Sequence, residues 1–143
     1  MREHVVSEYD DVLLSNAKTA VAAIIVLDQF PRNMFRGTRR AFASDAKALA
    51  VAEAAIAKGF NTTLGVDEQL FVYLPFEHCE KADAQVRSVT LILALGSPEL
   101  TPYAQAHKDI IDRFGRFPHC NAILSRTSTP SVVGFLKHPG SSF

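Results

Sequence analysis

Apolar residues recur along this chain mainly at intervals of three and four positions, the spacing that places them on one face of an α-helix. The clearest predicted helix lies between Ser44 and Gly59, and its apolar positions on neighbouring turns are Ala46, Leu49, Ala50, Ala54 and Ala57. Residues 90–95 are the one stretch that could be interpreted as a strand, and the segments around them supply no partner strand. The pattern therefore predicts an all-α fold.

Capping residues and helix breakers predict where the helices begin and end. Ser15 or Asn16 is a suitable N-cap for the first long apolar segment, and Pro31 predicts the end of that helix or a bend in it. Ser44 is a good N-cap for the second helix, and Gly59 is a natural C-terminal stop. The other helices are predicted over residues 7–14, 66–74 with a kink or new start at Pro75, 81–95, 97–114 with Ser97 as N-cap, 121–126, and 129–136 with Thr129 as N-cap.

The length and composition fit a single folded domain. The chain has 143 residues, of which 48% are hydrophobic, and we expect one compact array of antiparallel helical hairpins over residues 1–143, with 1–15 as a peripheral segment. The longest apolar run, residues 20–27, has eight residues, whereas a membrane-spanning helix needs about 20. The two cysteines are too few for a disulfide scaffold or a four-thiolate zinc site. These observations predict a soluble, cytoplasmic protein with no membrane partner.

The charges balance overall but are segregated along the chain. Fifteen basic residues oppose 15 acidic ones, and a net charge of zero argues against a general nucleic-acid partner. Residues 29–44 and 113–143 each carry a net charge of +4, whereas 66–83 carry −4 and 1–11 carry −3. These blocks could pair with one another across helix contacts. Alternatively, the arginines could line a pocket for an anionic ligand, because guanidinium groups bind carboxylate and phosphate bidentately.

Asp28 is the most informative acidic residue in the sequence. It follows Ile24 by four positions and so extends the apolar face of its helix, where an unpaired carboxylate is costly. Its candidate partners are Arg32 at i+4, the backbone beyond Pro31 and an arginine from the C-terminal basic block. A buried ion pair or cap is one interpretation, and a general base is the other.

Glu77 and Glu80 lie three positions apart with His78 between them, a spacing that could begin a metal site. Neither the Glu-x-x-His nor the His-Glu-x-x-His motif occurs, so we predict no metal and no cofactor. Cys79 and Cys120 each follow a histidine, but adjacency in sequence does not place a base at the sulfur atom. The sequence also lacks the Gly-x-Ser-x-Gly motif of serine hydrolases.

Residues 113–119 alternate arginine with aromatic residues, which resembles a surface for stacking nucleic-acid bases. A structural explanation accounts for the same pattern. Gly115 is suited to end a helix, and Phe114 and Phe117 can anchor the turn in the core. We therefore expect no nucleic-acid partner.

Five segments carry a family resemblance, and in chain order they read LDQFPRN at 27–33, FRG at 35–37, AFASD at 41–45, YLPFEHCE at 73–80 and HKDIIDRFGRFPH at 107–119. Together they resemble the bacterial domain-of-unknown-function 924 family, and the resemblance covers about residues 20–136. It implies an all-helical fold similar to tetratricopeptide-like helical repeats. It implies no established reaction.

Three features depart from the family pattern. Cys79 stands where the family more usually has serine, and Cys120 where arginine commonly follows the histidine, so no role is assigned to either. Family members also tend to begin with a further aromatic segment containing tryptophan, and this chain has no tryptophan. If that segment covers part of the core, an exposed apolar patch would permit self-association.

Two functional interpretations follow, and the first is preferred. A binding or scaffold module would present an arginine-lined face to a small anionic ligand or a protein partner, using Arg32, Asn33, Arg36, His78, Arg113, Arg116 and His119. A small hydrolase-like enzyme would instead use Asp28, Glu77 or His119 as acid or base on an anionic substrate. In a third interpretation the motifs specify only the fold, because polar residues in tight turns satisfy helix-end backbone groups.

Overall fold

The computed structural model describes residues 11–141, and within that range the chain is helical with no β-strand. The predicted all-α fold is confirmed, while the tetratricopeptide-like arrangement stays a prediction. Residues 11–13 are helical, and the rest of the predicted helix over 7–14 lies partly outside the described residues. The α-helices are α1 Ala17–Met34, α2 Asp45–Ala57, α3 Val66–Glu77, α4 Ala82–Leu93, α5 Thr101–Phe114 and α6 Pro130–Leu136. Short 3₁₀ helices cover Arg39–Phe42, Phe60–Thr63 and Pro118–Cys120.

Helix α1 begins at the predicted cap and continues past the predicted break. The Asn16 side chain accepts a hydrogen bond from the backbone N–H of Thr19 at 2.9 Å, as an N-cap should. Pro31 lies inside the helix, which runs on to Met34. A proline has no N–H to donate to the carbonyl four residues earlier, here that of Leu27. The Ser44 hydroxyl donates to this carbonyl at 2.6 Å and so replaces the missing bond.

Helix α2 buries a different face from the predicted one. Its buried residues are Ala48, Val51, Ala52 and Ala55, and three of the predicted positions, Ala46, Ala50 and Ala57, are exposed. Alanine occurs around the whole helix, so the apolar pattern alone does not select a face. Packing of α2 against both α1 and α3 makes the selection. Ser44 is the N-cap residue of α2 as predicted, but its hydroxyl is bonded to α1 and makes no capping bond. Gly59 follows the helix with a φ of +75° as predicted.

Two groups of apolar side chains form the core. The larger lies among α1 to α5 and includes Ile24, Val51, Val72, Phe76 and Ile92, each about 1% exposed or less. The smaller joins the end of α5 to the segment after it and is formed by Ile110, Ile111, Phe117 and Cys120, with Phe114 and Phe135 against them. None of the helices in residues 11–141 is long and apolar enough to cross a membrane.

Helix α5 starts later than predicted. It begins at Thr101, so Ser97 is not its N-cap. Its buried residues include Ala104, His107 and Ile111, whereas Tyr103 is 64% exposed. The inward turn of His107 matters for the site described below.

The C-terminal part of the chain also differs from the prediction in one place. Residues 121–125 form turns rather than the predicted short helix. The last helix begins as predicted, with the Thr129 side chain accepting from the backbone N–H of Val132 at 3.4 Å.

Candidate functional site

A cavity of about 560 Å³ lies between the end of α1, the 3₁₀ helix Arg39–Phe42, the end of α3 and residues 117–124. We call it the histidine cavity, because three imidazole rings contribute to its wall. Its polar lining consists of Gln29, Arg32, Asn33, Arg36, Asp45, His78, Glu80, His107, His119 and Cys120. The volume lies within the range of about 300–1,000 Å³ that is usual for small-molecule sites.

A buried ion-pair network supports the α1 side of the cavity. Asp28 is 1% exposed, and its Oδ1 accepts from Arg32 Nη1 at 2.9 Å while its Oδ2 accepts from Gln29 Nε2 at 2.5 Å. The same guanidinium also binds Asp45 at the start of α2, through both terminal nitrogens at 2.7 and 3.0 Å. Arg32 is therefore a partner of Asp28, and it links α1 to α2.

The two carboxylates that share Arg32 respond differently to it. Burial raises the pKa of Asp28, but the hydrogen bond and charge of His78, together with the charge of Arg32, outweigh burial and hold that pKa below its ordinary value. At Asp45, burial dominates over the opposing hydrogen bond from Arg32, and the pKa is raised. The network thus favours the charged form of Asp28.

His78 is oriented by Asp28. Its Nδ1 lies 2.8 Å from Asp28 Oδ1. An ionised carboxylate only accepts hydrogen bonds, so Nδ1 carries a proton and Nε2 is the ring nitrogen that can act as a base when it is unprotonated. This arrangement of a carboxylate behind an imidazole is the one that general-base histidines use.

His107 is held by a second carboxylate. Its Nδ1 lies 2.9 Å from Glu77 Oε1 and 2.7 Å from the backbone oxygen of Tyr103. Both neighbours accept, so Nδ1 of His107 is the donor. The centroids of the His78 and His107 rings are 6.4 Å apart. Glu77 and Asp28 therefore lie behind two neighbouring histidines.

The opposite side of the cavity is organised by Glu80 and Arg126. Glu80 accepts from the backbone N–H of Phe117 and from Arg126 Nη1, both at 2.7 Å. Arg126 also donates to the Asn121 side chain at 3.1 Å and to the Phe117 carbonyl at 3.2 Å. This set of bonds ties the segment over residues 117–126 to the end of α3. It positions His119 and Cys120 on the cavity wall.

Burial shapes the chemistry of both residues on that segment. Burial, followed by the charge of His107, lowers the pKa of His119, which favours its neutral ring. Burial, followed by the charge of Glu80, raises the pKa of Cys120 to about 11. At neutral pH Cys120 is therefore a thiol rather than the thiolate that nucleophilic catalysis requires.

A second cavity, of about 440 Å³, adjoins the first. Its lining is mostly apolar and consists of Leu70, Leu74, Leu100 and Tyr103, with Glu77, His78 and His107. We call it the apolar cavity. Since His78 and His107 line both cavities, these two rings form a shared wall.

The structure places the sequence-predicted site residues in three ways. Arg32, Asn33, Arg36, His78 and His119 line the histidine cavity. Asp28 and Glu77 touch its histidines from behind. Arg113 and Arg116 are not among the lining residues, and Arg113 instead lies over the Phe114 and Phe135 rings at 4.6 and 5.7 Å.

Some members of the site were missed from the sequence. His107 was noted only within the family segment at 107–119, although a stripe through Ala104, His107 and Ile111 has helical spacing and would have placed it on the buried face of α5. Gln29 adjoins Asp28 in sequence but carries no separate signal. Among the described residues no cluster of His, Cys, Asp and Glu could hold a metal ion.

The model of a family described as "Bacterial protein of unknown function (DUF924)" matches residues 2–140 of this chain. The chain belongs to this family. The DUF924 chain is also similar to a solved structure of a protein of unknown function, ATU0120 from Agrobacterium tumefaciens, with 40% sequence identity and a TM-score of 0.87. The match covers 93% of this chain and 75% of the other. No curated protein matches this DUF924 chain.

Proposed function

We propose that this chain is a small-molecule-binding protein whose anionic ligand occupies the histidine cavity. The observation that carries the proposal is the convergence of polar side chains from α1, the end of α3, α5 and residues 117–124 on one cavity of ligand size. Apolar walls with a few polar groups in fixed positions are typical of such sites.

Arg36 supplies the charge for an anion in this proposal. Arg32 is already bound by Asp28 and Asp45, and Glu80 is bound by Arg126, so these groups offset one another. Arg36 is exposed and lines the cavity, and no carboxylate within residues 11–141 forms an ion pair with it. Asn33, three positions earlier at the end of α1, adds an amide that donates hydrogen bonds.

Titration with inorganic phosphate and with acetate, followed by calorimetry and by NMR of the histidine rings, tests this proposal. We expect binding to shift the His78 and His119 signals, and Arg36→Gln to weaken it about tenfold or more, as loss of a charged hydrogen bond does. Arg39→Gln is the matched control, because Arg39 is also exposed but does not line the cavity. Equal affinity in the two variants would overturn the proposal.

A second candidate function, a hydrolase-like enzyme, is favoured by one specific contact. The Asp28–His78 pair, with Nδ1 and Oδ1 2.8 Å apart, can supply a general base that removes a proton from water. Asp28 would be a positioning residue. Since Cys120 is held as a thiol, the base would act on water rather than on a cysteine nucleophile.

Hydrolysis of p-nitrophenyl acetate and p-nitrophenyl phosphate tests the second candidate. We expect turnover above that of free imidazole, loss of turnover in His78→Gln, and no loss in His138→Gln, since His138 is exposed and does not line the cavity. Asp28→Asn should move the pH dependence of the rate as well as its size. Rates equal to free imidazole would leave ligand binding as the function.

A further inference from the structure

The two cavities differ in chemistry, yet they share a wall. The histidine cavity contains Arg36 and Asn33, whereas the apolar cavity is bordered by Leu70, Leu74 and Leu100. Building on the proposed function, we infer that the ligand is an amphipathic anion with an apolar chain. Its charged group lies in the histidine cavity and its chain in the apolar cavity.

The apolar cavity has the chemistry and size for such a chain. Its 440 Å³ lie between α3 and the start of α5, and its leucines are all half-buried rather than exposed. Leu70 and Leu100 also pack against the main core, which holds the floor of this cavity in place. The exposed ring of Tyr103 borders the cavity and offers further apolar contact.

The shared wall explains why one molecule would use both cavities. His78 and His107 each line both spaces, and their ring centroids are 6.4 Å apart. Asp28 and Glu77 fix the two rings from behind. A ligand that extends from one cavity into the other therefore lies along these two imidazoles, with the junction of its head and chain against His78.

The charges around the wall favour an anion on the Arg36 side and an uncharged group on the other. Glu77 is the acidic residue of the apolar cavity, and His107 engages it at 2.9 Å. A chain without charge avoids repulsion from this carboxylate. A dianion with a charged group at each end does not fit the pattern.

A series of straight-chain carboxylates, from acetate to octanoate, tests the inference on the full chain by calorimetry and by NMR of the histidine rings. Burial of each added methylene is expected to tighten binding two- to fourfold. Octan-1-ol, which has the chain without the charge, is expected to bind at least tenfold more weakly than octanoate. The His78 ring signals should move with every bound carboxylate.

Variants in the apolar cavity separate this inference from the proposed function. Leu74→Ser and Tyr103→Ser are expected to flatten the dependence on chain length while leaving acetate binding unchanged. Leu93→Ser is the matched control, since Leu93 is 60% exposed and lines neither cavity. Tyr103→Ser changes an exposed side chain, so its folding is secure even if Leu74→Ser is unstable.

Each result decides between the two proposals. Acetate and octanoate of equal affinity, or equal effects of Leu74→Ser and Leu93→Ser, overturn the amphipathic ligand and leave anion binding in place. Octanoate that binds without moving the His78 signals overturns it as well. Absence of binding by acetate, phosphate and octanoate alike overturns both.

Discussion

The two sides of the histidine cavity use the same pair of groups, an arginine and a carboxylate, in different settings. On one side Arg32 joins Asp28 and Asp45, residues of two packed helices, and Asp28 is 1% exposed. On the other, Arg126 joins Glu80 within irregular chain, and both side chains are about a quarter to a third exposed, at 23% and 31%. The pairs of Arg32 are supported by the packing of helices, whereas the Arg126–Glu80 pair itself holds residues 117–126 against the end of α3.

The difference shows which side of the cavity is built from packed helices and which side is held by a few hydrogen bonds to irregular chain. Asp28 orients His78 as well as binding Arg32, so the α1 side combines structure with site chemistry. Arg126 bonds to Glu80, Asn121 and the Phe117 carbonyl but does not line the cavity. These bonds, together with the packing of Phe117 and Cys120 in the smaller core cluster, therefore hold the segment that presents His119 and Cys120.

The largest effect is expected from Asp28→Ala. The change leaves Arg32, His78 and Gln29 without their buried acceptor and should lower the free energy of unfolding by about 3–5 kcal/mol. Guanidinium chloride unfolding measures it. Glu68→Ala is the control, because its pair with Lys18 is 34% and 74% exposed and should contribute less than about 1 kcal/mol. Similar losses in both variants would show that burial does not set the strength of the Asp28 network.

Arg126→Ala is expected to have a smaller and more local effect. It removes the bonds to Glu80, Asn121 and Phe117, and partial exposure limits the loss to about 1–3 kcal/mol. Hydrogen exchange should increase over residues 117–128 while α1 to α3 keep their protection. Arg116→Ala, immediately before this segment, is the control. Faster exchange throughout the chain would contradict the view that the effect of Arg126 is confined to this segment.

On the C-terminal side of the cavity, His119 should make the stability of the protein depend on pH. Because the pKa of His119 is lowered in the folded protein, first by burial and then by the charge of His107, the unfolded chain takes up a proton more readily. The His119 contribution to stability is therefore complete above about pH 6.5 and is lost as the pH falls below that value. His119→Gln should reduce this loss between pH 7 and 5, and His138→Gln should not. A slope unchanged by His119→Gln would rule out His119 as its source.

The smallest effect concerns reactivity rather than stability. With its pKa raised to about 11 by burial and then by Glu80, Cys120 should react with iodoacetamide at pH 8 far more slowly than the half-buried Cys79. Peptide mapping after alkylation measures the two rates. Urea should remove the difference, and rapid alkylation of Cys120 in the folded protein would show that the 117–126 segment opens often.

Some elements were predictable because their signals are local. Asn16 and Thr129 cap their helices as the sequence predicts, and Gly59 and Gly115 follow helices with positive φ. Of the two alternatives predicted at Pro31, a helix end is wrong, because the missing bond is replaced from a distance by Ser44. The predicted buried face of α2 was wrong, because alanine occurs on every side of that helix and the apolar pattern does not distinguish one face from another.

The site was predictable only in part, because some of its contacts are local and others join residues that are far apart in sequence. Asp28 stood out because a carboxylate on an apolar helix face needs a partner, and Arg32 lay within reach at i+4. The contact of Asp28 with His78 spans 50 residues of sequence, and no local pattern encodes it. Glu77 and His107 meet across α3 and α5 in the same way.

The sequence by itself determined the helical class, the family resemblance and which polar residues would be costly to bury, because these depend on local spacing and side-chain chemistry. The tertiary structure alone decided how the charge blocks are used. Packing of α1 against α2 gave Arg32 a second carboxylate, Asp45, and the contact of residues 117–126 with Glu80 gave Arg126 its partner. Arg36 was left exposed beside three histidines. The balanced charges of the sequence are thus arranged as specific ion pairs, with Arg36 at the histidine cavity. Only folding determines which charges come within contact distance.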